Sequence, residues 1–300
     1  MKQLKQVVVL SGKGGTGKTS VAAALVHLAS QESPIVFADA DVDAANLELV
    51  LDPTVQETHD FVSGKLAVID AELCEGCGIC AQVCRYDAIS VVEETSGCHY
   101  EIDPIACEGC VACFYQCPSE AILVESPVAG RWFRSATRFG PLFHARLFAG
   151  QENSGKLVTT VKREGRQWAL DEGREYLIVD GPPGIGCPVI SACAGADLAL
   201  LVVEPTVSGV HDLERVLATA DHFGVPSLVV VNKADINPAR TDEIAVFCRE
   251  KGIELVGRIP YDDVVTRAMV QGLPVTAMDN GAVTAGLEGV WQRVRDWLAR

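Results

Sequence analysis

Eight cysteines in the middle of this 300-residue chain fall into two runs with the same spacing. They are Cys74, Cys77, Cys80 and Cys84 in the first run, then Cys107, Cys110, Cys113 and Cys117 in the second. Each run reads C-x₂-C-x₂-C-x₃-C, a spacing that suits a cubane [4Fe–4S] cluster whose fourth ligand comes from the other run. We therefore predict two clusters, one on Cys74, Cys77, Cys80 and Cys117 and one on Cys107, Cys110, Cys113 and Cys84. Zinc on paired C-x₂-C motifs is the weaker alternative.

The two runs are parts of an internal repeat. The segment from Ile69 to Ile89 returns 33 residues later as Ile102 to Ile122. Two copies of one half-module predict a small unit with pseudo-two-fold symmetry. The copies differ after the fourth cysteine, where Arg85 follows Cys84 but Pro118 follows Cys117. A cation at this place would raise the reduction potential of the cluster that Cys84 ligates.

A glycine-rich loop near the N-terminus has the residue types that bind a chain of phosphates. Residues 12–19 fit the pattern G-x₄-G-K-[ST] between an apolar run and a helical pattern. Lys18 would reach the β- and γ-phosphates, and Thr19 would bind Mg²⁺. The residues expected to bind nucleotide here are Gly12, Lys13, Gly14, Gly15, Thr16, Gly17, Lys18, Thr19 and Ser20. The loop also fits G-x-G-x-x-G with Asp39 as a ribose acid, but Lys18 and Thr19 favour the phosphate loop.

Short apolar runs alternate with helical patterns on both sides of the cysteine-rich segment. We predict strands over residues 5–10, 34–38, 176–179, 198–203, 227–231 and 255–259, and helices over 18–30, 156–172, 211–223, 241–251 and 263–271. This alternation is typical of an α/β protein with a mostly parallel sheet and helices on both faces. At roughly 150 residues per domain the length allows two domains. We predict an α/β domain over 1–63 and 127–300, an inserted α+β domain over 64–126, and a linker rich in arginine and aromatic residues over 127–150.

Charge and composition exclude several classes of protein. The net charge is −15, and residues 64–126 alone hold eleven acidic and two basic residues. Such acidity argues against nucleic-acid binding, which needs surplus lysine and arginine. The chain has no apolar run long enough to span a membrane and no signal-peptide pattern, so we predict a cytoplasmic protein. Reducing conditions there would keep its twelve cysteines from forming disulfides, which favours metal binding.

A second lysine in the phosphate loop makes the resemblance to a family specific. The segment from Lys13 to Thr19 resembles the deviant Walker A motif of the MinD/ParA/nitrogenase-iron-protein superfamily. The cysteine runs resemble those of bacterial ferredoxins with two [4Fe–4S] clusters. The first resemblance implies an ATP-sandwich homodimer in which Lys13 contacts the partner's nucleotide. We predict that the apolar stripe of the C-terminal helix docks on the sheet. The resemblance leaves a membrane-targeting helix as the alternative.

The same resemblance suggests roles for three aspartates that end predicted strands. Asp39 would lie near Mg²⁺, Asp41 would orient the attacking water, and Asp180 would hold the water shell of Mg²⁺ in a segment like Walker B. A carboxylate at the C-terminal end of a parallel strand is well placed for these tasks. The alternative for Asp41 is a cap for the following helix. We therefore predict Lys13, Lys18 and Asp41 as the catalytic residues.

Two further segments are expected to contact the base. Asn232, Lys233 and Asp235 follow a strand and match the N-K-x-D pattern that reads guanine in GTPases. In proteins like MinD the asparagine contacts adenine instead, and Pro260, Tyr261 and Asp262 resemble the second loop that flanks the base. We favour ATP because the deviant phosphate loop outweighs a four-residue match, with GTP as the alternative. A purely structural turn would also explain Asn232 and Asp235.

Three functions are compatible with these motifs. The preferred hypothesis is an ATPase coupled to electron transfer through the two clusters, as in the nitrogenase iron protein. It implies a protein donor or acceptor, for which a related ferredoxin-ATPase is a candidate. The alternatives are a carrier for iron–sulfur assembly like the Mrp group and a redox-responsive switch like MinD and ParA. Cys98 is predicted to be a free thiol, and Cys187 and Cys193 are predicted to be buried.

Overall fold

The computed structural model of the chain describes residues 4–43, 45–94, 97–150 and 154–300. The strands are β1 (Lys5–Ser11), β2 (Ile35–Asp39), β3 (Thr54–Val62), β4 (Leu66–Ile69), β5 (Ile89–Glu94), β6 (Gly97–Ile102), β7 (Ile122–Glu125), β8 (Val128–Thr137), β9 (Gly140–Leu147), β10 (Tyr176–Pro183), β11 (Leu198–Val203), β12 (Ser227–Asn232) and β13 (Glu254–Ile259). The helices are α1 (Lys18–Glu32), α2 (Leu47–Leu51), α3 (Ile79–Val83), α4 (Ala112–Gln116), α5 (Ser154–Asp171), α6 (Cys187–Cys193), α7 (Gly209–His222), α8 (Pro238–Glu250), α9 (Val264–Val270), α10 (Val275–Met278) and α11 (Ala282–Leu298).

The chain divides into two compact units. Unit 1 contains Met1–His59, Trp132–Arg146 and Ser154–Arg300. Unit 2 contains Asp60–Arg131 and Leu147–Asn153. Three of the four boundaries between the units fall inside the strands β3, β8 and β9, and the fourth falls just before α5.

A mostly parallel sheet forms the centre of unit 1. Its order within the described residues is β13-β12-β11-β1-β10-β2-β9-β8-β3. All pairs from β13 through β9 are parallel. The two-residue connection between β8 and β9 makes that pair antiparallel. The prediction of an α/β fold with a mostly parallel sheet is therefore confirmed.

Helices cover both faces of this sheet because successive strand residues point to opposite sides. Ile178 of β10 lies in the same buried cluster as Val21 of α1 and Trp291 of α11. Its neighbour Leu177 faces the other layer, where a Cβ on Gly165 of α5 would touch it. The carboxyl ends of β1, β2 and β10 meet at one edge, where the phosphate loop begins.

The C-terminal helix α11 is docked on unit 1, as predicted. Its apolar stripe joins the main core, with Leu287, Val290, Trp291, Val294 and Leu298 all buried. Within the described residues, no helix is both long and apolar enough to cross a membrane.

The prediction of a linker over residues 127–150 is wrong, because β8 and β9 occupy most of it. Its arginines pair with acidic side chains of the same unit, Arg134 with Glu57 and Arg146 with Glu48. The buried positions include Ser135 and His144, whose side chains hydrogen-bond each other at 2.8 Å. Polar residues at buried positions break the apolar alternation by which a strand is recognised.

Unit 2 has the internal symmetry that its sequence repeat predicts. β4 pairs with β7, and β5 pairs with β6, both antiparallel. The backbone N–H of Asp70 bonds the carbonyl of Ala121 at 2.8 Å, and the N–H of Asp103 bonds that of Ala88 at 2.8 Å. Each half of the unit is therefore hydrogen-bonded to the other in the same way. The small core contains Ala67, Cys80, Cys113 and Ile122.

Candidate functional site

The phosphate loop joins β1 to α1, and two of its glycines are required by close contacts. A Cβ on Gly12 would overlap the backbone carbonyl of Asp212 at the start of α7. A Cβ on Gly17 would overlap the side-chain amide of Asn232, and Gly17 has a positive φ of 85°. Both positions therefore accept only glycine. The loop is consequently fixed between α7 and the end of β12 before any nucleotide binds.

Lys18 is the buried cation of the site. Its Nζ donates a 2.7 Å hydrogen bond to Asp180 Oδ1 and lies 3.9 Å from Asp41 Oδ2. Burial alone would lower the pKa of Lys18, but the charge and hydrogen bond of Asp180, with Asp41 and Asp39 beyond, outweigh it and raise the pKa. Lys18 therefore remains an ammonium group, ready to bind phosphate oxygens.

Asp39 is the last residue of β2 and stands opposite Asp180 of the neighbouring strand β10 in the parallel register. Both are buried, and Asp39 accepts hydrogen bonds from the backbone N–H groups of Asp41 at 3.1 Å and Leu47 at 3.0 Å. Burial and the nearby charge of Asp180 raise the pKa of Asp39. Asp180 Oδ2 is buried with no hydrogen-bond partner among the described residues. Such an oxygen can accept a hydrogen bond from metal-bound water.

The second loop lysine, Lys13, is held by side chains of its own chain. Its Nζ donates to Thr206 Oγ1 at 2.9 Å and lies 3.7 Å from Glu204 Oε2. Glu204 also accepts from Lys233, whose Nζ lies 3.2 Å from the carbonyl of Gly15. Sequence reasoning missed Glu204 and Thr206. The available signal was a polar segment directly after the buried apolar strand β11, at the same sheet edge as the loop.

Most of the predicted nucleotide-binding residues line one cavity of about 730 Å³. The predicted residues that line this cavity are Gly14, Gly15, Thr16, Gly17, Lys18, Thr19, Ser20, Asp41, Asn232, Lys233, Pro260, Tyr261 and Asp262. Gly12 and Lys13 instead line a small separate cavity with Glu204 and Asp212. The main cavity also has apolar walls that the sequence did not single out, including Val265 and Met269.

Side chains of the N-K-x-D segment form hydrogen bonds with other residues of the protein. Asn232 Nδ2 donates to the carbonyl of Thr16 at 2.8 Å, which ties the segment to the phosphate loop. Asp235 Oδ1 accepts the backbone N–H of Tyr261 at 2.6 Å and does not line the cavity. Asp235 therefore fastens the loop that contains Pro260, Tyr261 and Asp262, a structural role within this segment.

The cysteines of the two runs line two separate cavities in unit 2. One contains Cys74, Cys77, Cys80 and Cys117, and the other contains Cys84, Cys107, Cys110 and Cys113. The free volumes are small, about 10 and 20 Å³. Among the described residues, no group of three or more His, Cys, Asp or Glu side chains is arranged to hold a single metal ion.

The remaining cysteines lie outside these two cavities. Cys98 is exposed, and its Sγ lies 3.9 Å from the carbonyl of Gly76. Cys193 and Cys248 are buried, and burial raises the pKa of each thiol to about 11. Cys187 is exposed, so the prediction that it is buried is wrong. It is the first residue of the short helix α6, at the surface rather than in the core.

The fold and the site define a P-loop nucleotide-binding protein. Residues 7–275 match the family model described as the CobQ/CobB/MinD/ParA nucleotide binding domain, so the chain belongs to this family. An uncharacterized protein of Methanocaldococcus jannaschii is 32% identical over 98% of both chains. An uncharacterized ATP-binding protein of the same organism is 26% identical, covering 94% of this chain and 84% of its own.

The fold is also that of solved relatives. The septum site-determining protein MinD from Pyrococcus horikoshii, complexed with Mg-ADP, superimposes with a TM-score of 0.59 at 18% sequence identity. The match covers 99% of this chain and 98% of that one. Together with the family membership and the phosphate loop, these findings confirm the prediction that the chain is an ATPase.

Proposed function

We propose that this ATPase hydrolyses MgATP at the interface of a homodimer and couples hydrolysis to electron transfer through two [4Fe–4S] clusters in unit 2. The observation that carries the proposal is the exchange of the fourth cysteine between the runs. Cys117 lines the cavity of the first run, and Cys84 lines that of the second. This is the ligand pattern expected of two clusters that share two cysteine runs.

The donor set fits such clusters better than a single ion. Each cavity is lined by four thiols and no histidine, with one glutamate beside them, Glu75 or Glu108. A set of four thiols suits iron–sulfur chemistry, and each set comes from both halves of the repeat. A lone tetrahedral ion draws its four sulfurs to ~2.3 Å from one centre, and no such group of side chains is present in the described residues. When bound, the clusters would accept and release single electrons.

The residues of unit 1 account for the nucleotide half of the proposal. Lys18 would exchange its hydrogen bond with Asp180 for the phosphates of ATP, while Asp41 would orient the attacking water. Thr19, Asp39 and Asp180 would hold Mg²⁺ directly or through water, and the unpartnered Asp180 Oδ2 supports this. Mg²⁺ binds through one or two carboxylates and keeps water and phosphate ligands, so a full cage of protein oxygens is not required.

The dimer is proposed from Lys13. Glu204 and Thr206 hold this lysine away from the main cavity, in a separate small one. A lysine that does not line its own nucleotide cavity is free to serve the nucleotide of a second copy, as the resemblance implies. Movement to the partner would break the 3.7 Å ion pair with Glu204 and the 2.9 Å hydrogen bond to Thr206. Glu204 would keep its ion pair with Lys233.

We further propose that the electron donor or acceptor is a protein and that the chain acts in the cytoplasm without nucleic acid or membrane. The eleven acidic and two basic residues of segment 64–126 support a protein partner with a basic surface. A related ferredoxin-ATPase remains a candidate for this partner.

The direct test is the iron and sulfide content of protein prepared without oxygen. We expect iron and acid-labile sulfide for two [4Fe–4S] clusters per chain. Cys80→Ser should lose about half of both, because Cys80 is a ligand of one cluster only. The matched control is Cys98→Ser, which removes an exposed thiol of the same unit outside both cavities and should keep both clusters.

The outcomes separate the proposal from its alternatives. Protein without iron, or with one zinc ion at each set of cysteines, would contradict it. Clusters that pass readily to an iron-free acceptor protein would instead favour an assembly carrier. Stable clusters that change ATP-dependent partner binding without passing electrons onward would favour a redox-responsive switch.

A further inference from the structure

The two halves of unit 2 have nearly the same backbone, so differences between the cluster sites can be traced to individual side chains and hydrogen bonds. Positive φ angles recur 33 residues apart, at Gly76 and Gly109 (69° and 65°), Gly78 and Val111 (72° and 56°), and Asp87 and Glu120 (51° and 54°). The backbone N–H of Cys74 and that of Cys107 each bond the carbonyl four residues earlier at 3.0 Å.

The fourth cysteines of the two runs have different hydrogen-bonding environments. Cys117 Sγ lies 3.6 Å from Ser119 Oγ and accepts the backbone N–H of Ala121 at 3.3 Å. At the equivalent place, two residues after Cys84, the chain has Tyr86, which is 49% exposed. Within the described residues, Cys84 Sγ receives no hydrogen bond.

We propose that Ser119 makes the cluster on Cys74, Cys77, Cys80 and Cys117 the more easily reduced of the two. This inference rests on the proposed function. A hydrogen bond to a ligating thiolate stabilises negative charge on the cluster, and reduction adds negative charge. The reduced form therefore gains more from Ser119 than the oxidised form, and the reduction potential rises. Electrons that enter at the other cluster would pass to this one.

Other differences between the sites do not reverse this order. Glu75 lines one cavity and its counterpart Glu108 lines the other, so their charges act alike. Each cavity also has one larger and one smaller residue at the equivalent places. Tyr100 and Gly78 line the first cavity, and Ala67 and Val111 line the second.

Arg85 is the competing influence that sequence analysis identified. It follows Cys84 and would raise the potential of the cluster on Cys84, Cys107, Cys110 and Cys113. Its side chain is exposed, and a charge in water and salt is largely screened, whereas the hydrogen bond of Ser119 acts on the sulfur itself. We therefore expect the effect of Ser119 to exceed that of Arg85.

The test is a redox titration of the full-length protein, followed by electron paramagnetic resonance. The wild-type protein should show two midpoint potentials. Ser119→Ala should lower the higher potential and leave the lower one unchanged. Ser119→Thr keeps the hydroxyl and should have the wild-type value of the higher potential. Tyr86→Ser introduces a hydroxyl at the equivalent place and should raise the lower potential. Ser90→Ala removes an exposed hydroxyl of the same unit and should change neither.

Two results would overturn the inference alone. One is a Ser119→Ala protein that has the iron content of the wild type and the same two midpoint potentials. The other is a shift of the lower potential in place of the higher. Wild-type protein without clusters would overturn the proposed function and this inference together, so the two failures are distinguishable by iron content.

Discussion

Lys18 is surrounded by three carboxyl groups at the phosphate loop. Asp180 accepts its hydrogen bond and Asp41 lies 3.9 Å away, while burial and the charge of Asp180 raise the pKa of the third carboxyl group, Asp39, to about 8. The site is therefore negative before nucleotide arrives, and ATP adds further negative charge. A divalent cation would offset this repulsion, which is why we expect nucleotide binding to require Mg²⁺.

Asp41 is the carboxylate whose loss should separate hydrolysis from binding. Asp41→Asn keeps the size of the side chain but removes the charge that we propose to orient the attacking water. We expect hydrolysis to fall by about 10²-fold or more. MgATP binding should persist, and dimers should accumulate, because the nucleotide that joins them is no longer consumed.

Phosphate release and sedimentation velocity measure these two effects. The control is Asp43→Asn, an exposed residue of the same loop that should behave as the wild type. An Asp41→Asn protein that hydrolyses MgATP at the wild-type rate would exclude this role for Asp41.

His144 should give the protein an acid-sensitive stability. Burial lowers its pKa to about 4, an effect that Arg146 assists and Glu48 opposes. The unfolded chain therefore binds more protons between about pH 6.5 and pH 4, and the free energy of unfolding falls as the pH drops through that range. Full protonation of this one residue corresponds to about 3 kcal/mol.

Urea unfolding at several pH values checks this. His144→Gln should show a smaller loss of stability between about pH 6.5 and pH 4 than the wild type, whatever its stability at neutral pH. His211→Gln, at an exposed histidine, should keep the wild-type slope. If the slope of His144→Gln equals that of the wild type, the acid sensitivity arises elsewhere.

At the scale of elements, a buried lysine of α5 holds the end of α6. Lys162 Nζ donates to the carbonyls of Ser191, Ala192 and Ala194 at 2.7, 2.6 and 2.8 Å. Burial lowers the pKa of Lys162 to about 8, so the group is still mostly an ammonium at neutral pH. Three donors thus satisfy three carbonyls that the short helix leaves without intrahelical partners.

Removing this cation should destabilise the protein. Lys162→Met leaves the carbonyls of Ser191, Ala192 and Ala194 without their donor, and we expect a loss of about 3 kcal/mol in the free energy of unfolding. Arg166→Met, on the exposed face of the same helix, should change it by about 0.5 kcal/mol or less. Chemical denaturation measures both, and an equal or higher stability for Lys162→Met would refute the capping role.

Sequence patterns predicted the elements whose periodicity is clean and missed those with mixed patterns. Strands such as β11 and β12 are buried throughout and read as continuous apolar runs. β3 is almost entirely exposed, and β8 and β9 bury Ser135 and His144, so none of the three shows an apolar alternation. The phosphate loop could be read from its spacing, because its chemistry is local. The polar segment with Glu204 and Thr206 follows a readable strand, but its contact with Lys13 could not be predicted, because only tertiary packing creates it.

At the scale of the molecule, the proposed nucleotide chemistry and the proposed cluster chemistry belong to two compact units of one chain. Unit 1 has the phosphate loop and its carboxylates, and unit 2 has both cysteine cavities. Linking nucleotide turnover to electron transfer requires a coupling free energy between these sites. Such coupling is reciprocal for binding, so the redox state of the clusters should alter the affinity for nucleotide as nucleotide alters the potentials.

Coupling between the two units can be measured as the rate of MgATP hydrolysis with the clusters oxidised and then reduced, in protein kept free of oxygen. We expect the rate to change with the redox state. Cys80→Ser should diminish this change, while Cys98→Ser should preserve it. A hydrolysis rate that is the same in both states, in protein that contains both clusters, would contradict the coupling on which the proposed function rests.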